Sequence, residues 1–254
     1  MRYQFEVANS LAATVAEAGR GVRIRGAQRQ PEELLELYDM ENCPFCRVVR
    51  QTLTELDLDA MIYPCPKGGV RYRPLVKQLG GREMFPYLYD PNTDTGLYES
   101  ADIIAYLYET YSNLPAPGYW KVKAMMTAPS MAASALRRGK GLRSEHVQDP
   151  GNPLELYSFE TSPYSRLVRE RLCELEIPYI VRNCGRNQPV EWLMLPALRE
   201  RLAPDYRPVQ RNRKALMKLT GRVQVPYLVD PNTGAELFES ASIIEYLDRT
   251  YGRA

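Results

Sequence analysis

The chain has 254 residues, 44% of them hydrophobic and 25% charged, with a formal net charge of +2; this is ordinary globular composition, enough for one large domain or two small ones. The near-balanced charge, with no stretch interleaving basic and aromatic residues, argues against obligate nucleic-acid binding, and no apolar run approaches the ~20 residues of a membrane span. The 5 cysteines are too sparse and odd in number for a disulfide scaffold and fit a reducing compartment, so the cytoplasm is expected.

In chain order, the N-terminal arm, 1–33, carries Ser10-Leu11-Ala12-Ala13 leading to Arg20-Gly21-Val22-Arg23, read as a short alanine-rich helix ended by glycine. It lacks the apolar core of a signal peptide. A strand at 34–38 then runs into Asn42-Cys43-Pro44-Phe45-Cys46-Arg47, which opens a helix at 44–57. A cysteine at a helix N-terminus faces unpaired amides and the positive end of the dipole, and both favour thiolate. Pro44 suits the first helical turn, where its missing N–H costs nothing. Cys46, one turn on, can close a disulfide onto Cys43. The pattern reads as redox or thiol chemistry. A structural pair or half a zinc site would need a second C-x-x-C or a histidine pair, and the only histidine is His146, in a linker; no metal centre is expected.

Strands at 60–64, 86–90 and 96–98 and helices at 72–79 and 100–111 follow, the last two strands forming a hairpin through Asp90-Pro91-Asn92-Thr93. The segment then repeats itself. Leu35-Glu36-Leu37-Tyr38 and Cys43-Pro44-Phe45-Cys46-Arg47 return, at an offset of 119, as Leu154-Glu155-Leu156-Tyr157 and Ser162-Pro163-Tyr164-Ser165-Arg166. Phe85-Pro86-Tyr87-Leu88 and Tyr98-Glu99-Ser100-Ala101 return, at an offset of 140, as Val225-Pro226-Tyr227-Leu228 and Phe238-Glu239-Ser240-Ala241. The second copy therefore carries 21 extra residues, expected as a helical insertion at about 188–211 with breaks at Pro204 and Pro208. The arm also has an echo in Ser130-Met131-Ala132-Ala133 leading to Lys140-Gly141-Leu142-Arg143. Each leading helix is expected to pack beside its own repeat. The reading is an α/β chain of two tandem domains, 34–113 and 154–254, joined by a linker with a short helix at 114–153. Alternating strand and helix implies a parallel pair and a right-handed crossover, so each domain is a four-stranded mixed sheet with flanking helices.

A C-x-x-C at a strand–helix turn, a later x-Pro before a strand, and Glu-Ser opening the last helix together resemble the glutaredoxins and the N-terminal domain of glutathione S-transferases, both of the thioredoxin fold. The order also resembles tandem glutathione-transferase N-domain proteins. The resemblance implies that Cys43 is the nucleophile and Cys46 the resolving thiol. It implies that Pro86 and Pro226 are cis-prolines whose preceding residues, Phe85 and Val225, pair their backbone with the cysteinyl part of glutathione. Glu99-Ser100 and Glu239-Ser240 would hold its γ-glutamyl end; a serine at a helix N-cap is in itself a ready carboxylate site. Asp39 and Glu41 stand where glutaredoxins place a basic residue and oppose thiolate formation, so Arg47 and the helix end are expected to lower the Cys43 pKa. Ser162 and Ser165 replace both cysteines in the second copy and exclude redox cycling there. Serine at this position resembles transferases whose hydroxyl hydrogen-bonds the glutathione thiolate.

The expected function is glutathione-dependent thiol–disulfide exchange of glutaredoxin type through the first domain. The second domain is then a redox-inactive glutathione-binding or structural copy. The partners are glutathione and a disulfide or a small electrophile. The alternatives are a glutathione transferase-like enzyme and a non-catalytic protein holding glutathione or an iron–sulfur cluster. Cys65 and Cys184 occupy equivalent positions at the end of the second strand of each copy; Cys65 reads either as an auxiliary thiol or cluster ligand near Cys43 or as a small buried apolar residue. Cys173, matched by Thr54, reads as packing.

Overall fold

The structure, a computed structural model, describes residues 2–27, 29–121, 123–145, 149–193 and 201–252. His146 and residues 194–200 of the expected insertion lie outside the described residues. In the first half, helix α1 (Arg2–Ala16) precedes β1 (Leu35–Asp39), α2 (Pro44–Glu55), β2 (Ala60–Pro64), α3 (Arg73–Gly80), the hairpin β3 (Tyr87–Asp90) and β4 (Thr95–Tyr98), and α4 (Ser100–Tyr111). Helices α5 (Gly118–Lys121) and α6 (Lys123–Leu136) lead into the second half: β5 (Leu154–Ser158), α7 (Pro163–Glu174), β6 (Tyr179–Asn183), α8 (Arg211–Thr220), β7 (Tyr227–Asp230), β8 (Ala235–Phe238) and α9 (Ser240–Tyr251). The insertion opens with a 3-10 turn at Pro189–Trp192.

Within each half the first two strands are parallel and the third and fourth antiparallel, giving the order 4-3-1-2. This is the thioredoxin topology, laid down twice. The two sheets do not stay separate. Ala60–Ile62 of β2 pairs antiparallel with Tyr179–Val181 of β6, so one eight-stranded sheet runs through both halves in the order β4-β3-β1-β2-β6-β5-β7-β8. An edge-to-edge junction satisfies the backbone groups that both second strands would otherwise leave open. Apolar residues from β1, β5, α2, α7, α4 and α9 form one core cluster across the junction.

Contrary to the expectation from sequence, the leading helices are crossed. Helix α1 of the first repeat lies on α7 of the second: Ser10 Oγ donates to the Pro163 carbonyl at 2.7 Å, and Arg166 donates to the Ser10 carbonyl at 2.7 Å. Helix α6 lies on α2: Ser130 Oγ donates to the Pro44 carbonyl at 2.8 Å, and Arg47 to the Ser130 carbonyl at 2.7 Å. The copies present the same residues at these positions, Pro44 and Arg47 in one and Pro163 and Arg166 in the other, so the same pair of bonds is open to either leader. Gly21 and Gly141, which end the two leader segments at φ +64° and +69°, come so close to Gln51 and Glu41 respectively that a β-carbon would crowd both.

Candidate functional site: two related clefts

The first cleft, about 390 Å³, opens between the start of α2 and the start of α4, lined by Phe45, Met84, Phe85, Pro86, Glu99 and Ser100. The Phe85–Pro86 peptide bond is cis. Glu99 takes a positive φ of 62°, a region a non-glycine residue rarely occupies, immediately before buried Ser100 opens α4. Glu239 does the same at φ 66° before Ser240. Strained backbone recurring at the same repeat position beside a cleft is a mark of a functional constraint. It also sets the first free amides of the helix, with their partial positive charge, at the cleft wall.

Cys43 is the N-cap of α2, and its Sγ accepts the Cys46 amide at 3.4 Å. It is only 8% exposed; Phe45, two residues on and 40% exposed, is the part of this turn that lines the cleft. Hydrogen bonding from Cys46, first through its thiol, brings the Cys43 thiol down to about 7, with the backbone amides of Cys46 and Phe45 adding to the effect; burial and the Asp39 carboxylate work against it. Cys46 is fully buried and is pushed well above the ordinary thiol value by that burial and by Cys43. Both thiols are free. Arg47 does not serve Cys43 as expected: its guanidinium is turned to α6, where it meets the Ser130 carbonyl and Ser134 Oγ, both at 2.7 Å. The acidic residues ahead of the motif are paired instead. Arg50 bonds Asp39 and reaches Glu41 at 3.2 Å, although burial still raises the Asp39 carboxyl to about 6.

The second cleft, about 340 Å³, is lined by Ser162, Tyr164, Arg186, Arg213, Val225, Pro226 and Glu239 among others. Val225–Pro226 is cis. Ser162 caps α7 in the place of Cys43, its hydroxyl accepting the Ser165 amide at 3.2 Å. Gln224 donates to Glu239 and holds it at the rim. Ser240 is buried, and its hydroxyl meets Tyr3 Oη of α1 at 2.7 Å. The lining carries two arginines and two carboxylates, Glu191 and Glu239, with Glu191 3.7 Å from Arg213. Arg213 is anchored through Nε to the carbonyls of Cys184 and Gly185 at 3.1 and 2.9 Å, and Arg186 stacks over Phe159 and Trp192 at 5.2 and 5.5 Å.

The glutathione-site residues singled out from sequence thus fall into two groups, one at each cleft, with Cys43 and Cys46 behind the first and Ser240 buried behind the second. Cys65 is buried among Tyr38, Val76 and Tyr87, its thiol donating to the Tyr63 carbonyl at 3.4 Å. Cys184 is buried in the matching cluster of the second half, and Cys173 Sγ accepts the Glu41 amide at 3.5 Å. Among the described residues no cluster of potential ligands could hold a metal ion. Sequence reading missed Trp120 and Met126, which reach the first cleft from the crossed leader α5–α6. It also missed Arg73 and Arg213, which match at an offset of 140; Arg73 lies 4.7 Å over the Phe85 ring, beside the cis-proline.

Two thioredoxin-fold halves, each setting a helix-capping Cys or Ser, a cis-proline and a Glu-Ser helix start in or directly behind one cleft, define a tandem protein of the glutathione-transferase N-domain class. A family model described as the glutathione S-transferase N-terminal domain matches residues 37–115 and again 156–254. The chain belongs to that family and carries its domain in two copies. Among solved structures, Bombyx mori glutathione transferase BmGSTD1 is 25% identical, with a TM-score of 0.30, over 36% of this chain and 44% of that one; the chain thus spans less than half the length of that relative. Leishmania TDR1, described as a unique trimeric glutathione transferase, is 14% identical, with a TM-score of 0.28, over 87% of this chain and 68% of that one. Curated proteins give no match. Among the described residues no helix is long and apolar enough to cross a membrane.

Proposed function

We propose that the chain is a glutathione-dependent thiol–disulfide oxidoreductase that works through Cys43, in the cytoplasm. The observation that carries this reading is the Cys43 thiol, lowered to about 7 at a helix N-cap, beside a cleft that holds cis-Pro86, Glu99 and Ser100. Glutathione in this cleft pairs its cysteinyl backbone with Phe85 and places its γ-glutamyl carboxylate on Ser100 and the α4 amides, with Glu99 facing its ammonium group. The Cys43 thiolate attacks one sulfur of a substrate disulfide; a mixed disulfide forms and the other sulfur leaves as thiolate. A glutathione thiolate then attacks the mixed disulfide and frees Cys43. Cys46 is a poor resolving group, since burial keeps it protonated. In a glutathione-coupled reduction of hydroxyethyl disulfide, Cys43→Ser should abolish turnover; a variant with full rate would sink the assignment.

A second reading is favoured by one observation: Ser162, unlike Cys43, itself lines its cleft, together with Arg186 and Arg213. A hydroxyl whose oxygen already accepts from the helix keeps its proton for a glutathione thiolate, and the two guanidinium groups suit the glycyl carboxylate. In this reading the second copy binds glutathione and conjugates a small electrophile. Conjugation of 1-chloro-2,4-dinitrobenzene that vanishes in Ser162→Ala would support it, and conjugation unchanged in that variant would dismiss it.

A further inference from the structure

The halves also differ where α5, whose Trp120 borders the first cleft, packs beside α2. In the first half, Tyr119 and Trp120 of α5 share a seat beside α2. Both donate to the Glu55 carboxylate, Tyr119 Oη at 3.1 Å and Trp120 Nε1 at 3.4 Å. The Arg20 guanidinium lies over the two rings at 4.7 and 5.5 Å. Under this cover Val48 of α2 and Ile104 of α4 are buried, at 0% and 2% exposure.

By the repeat offsets, Glu55 corresponds to Glu174, Arg20 to Lys140, Val48 to Leu167 and Ile104 to Ile244. These four counterparts meet again, but around an open cavity of about 330 Å³ that Tyr3 and Glu6 of α1 close on one side. Ile244 is half-buried, where Ile104 is covered. The charged groups of the wall are all paired, Arg171 with Glu145 and Asp248 beyond the wall as well. Arg137 meets Glu6 at 2.9 Å and Glu170 at 2.6 Å, Lys140 meets Glu6 at 3.6 Å, and Arg171 meets Glu174 at 3.2 Å.

We propose that this cavity is a binding site for a small neutral aromatic molecule with a ring N–H or phenolic O–H, of the indole class. The first half supplies the chemical template: an aromatic ring with one donor, over a glutamate and under a cation. The ring lies on Leu167 and Ile244, its donor meets a second lone pair of the Glu174 carboxylate, whose oxygens already accept from the Gly141 amide at 2.9 Å and Arg171 at 3.2 Å, and Lys140 covers its face. Because the wall charges are already matched, a net charge on the ligand gains nothing there and loses its hydration. The volume sits at the small end of the roughly 300–1,000 Å³ usual for such pockets, which suits a bicyclic ring.

The test is calorimetric titration of indole into the full chain, with and without saturating glutathione, and into Ile244→Trp and Lys140→Ala. The expected result is saturable binding at one site, unaffected by glutathione, lost by more than tenfold in Ile244→Trp and weakened severalfold in Lys140→Ala. Should Ile244→Trp fail to fold, Lys140→Ala decides, since that side chain is 41% exposed and tolerates truncation. No saturable binding, displacement by glutathione, or binding unchanged in a folded variant overturns the assignment.

Discussion

Arg50 of α2 donates through Nε to the Glu160 carboxylate of the other half at 2.9 Å, and Arg169 of α7 answers by donating to Glu41 at 3.2 Å. Glu41 and Glu160 stand two residues before Cys43 and Ser162, so each half's reactive turn is braced by the other half's helix. All four groups are buried, where a charge is tolerated only when matched.

Removing one partner from this set leaves charges stranded in the core. Arg50→Met strands Asp39 and takes one of the two arginines that meet Glu41 and Glu160, which keep Arg169, and should cost about 3–5 kcal/mol of stability in urea unfolding. A loss under about 1 kcal/mol would show that the brace is not holding the junction.

The role of Cys46 separates by chemistry. Cys46→Ser keeps a hydrogen-bond donor toward Cys43 and should retain most of the glutathione-coupled rate. Cys46→Ala removes the largest cause of the lowered Cys43 pKa, so less thiolate is present at pH 7. Its rate there should fall roughly tenfold and recover near pH 9. Equal loss in both variants would instead make Cys46 the resolving thiol.

The crossed leaders predict that the halves do not stand alone. A fragment ending at residue 113 loses α6, baring the face of α2 that carries Arg47 and leaving β2 as an open edge. It should self-associate in sedimentation, and co-expression with residues 114–254 should restore a soluble, native-like pair. A folded monomeric fragment would count against the interlocked arrangement.

Asp57 follows α2 at φ 56°, and burial raises its carboxyl from 3.8 to about 7, opposed by Arg211. The folded value lies above the unfolded one, so its stabilising contribution is complete below about pH 4 and is lost as pH rises through 7. Asn is neutral and tolerates the left-handed conformation. Asp57→Asn should therefore raise Tm by a few degrees at pH 8 and leave it nearly unchanged at pH 4. A shift of equal size at both pH values would assign the effect to something other than ionisation.

Much of the fold was legible in the sequence because the repeat supplied its own comparison. Paired motifs at two offsets located the strands within a residue or two, and Cys43-Pro44 and Ser162-Pro163 marked the starts of α2 and α7. The junction was not legible. Ala60-Met61-Ile62-Tyr63-Pro64 reads as a strand whether its far side meets solvent or β6. The crossing of α1 and α6 was hidden by the likeness of the copies, since Arg47 and Arg166 offer a leader the same bonds. Nothing in the sequence marked Arg50 and Arg169 for burial, because arginine is seldom fully buried. Trp120 fell in what reads as linker, and only the crossing brings it to the first cleft.

The ionisation of Cys43 tests the central claim most directly. The rate of Cys43 alkylation by iodoacetamide, followed by mass spectrometry from pH 5 to 10, should rise with a midpoint near 7, with Cys43 reacting before the other cysteines. A midpoint near the ordinary thiol value of ~8.5, or faster reaction at another cysteine, would contradict a thiolate poised at this helix end.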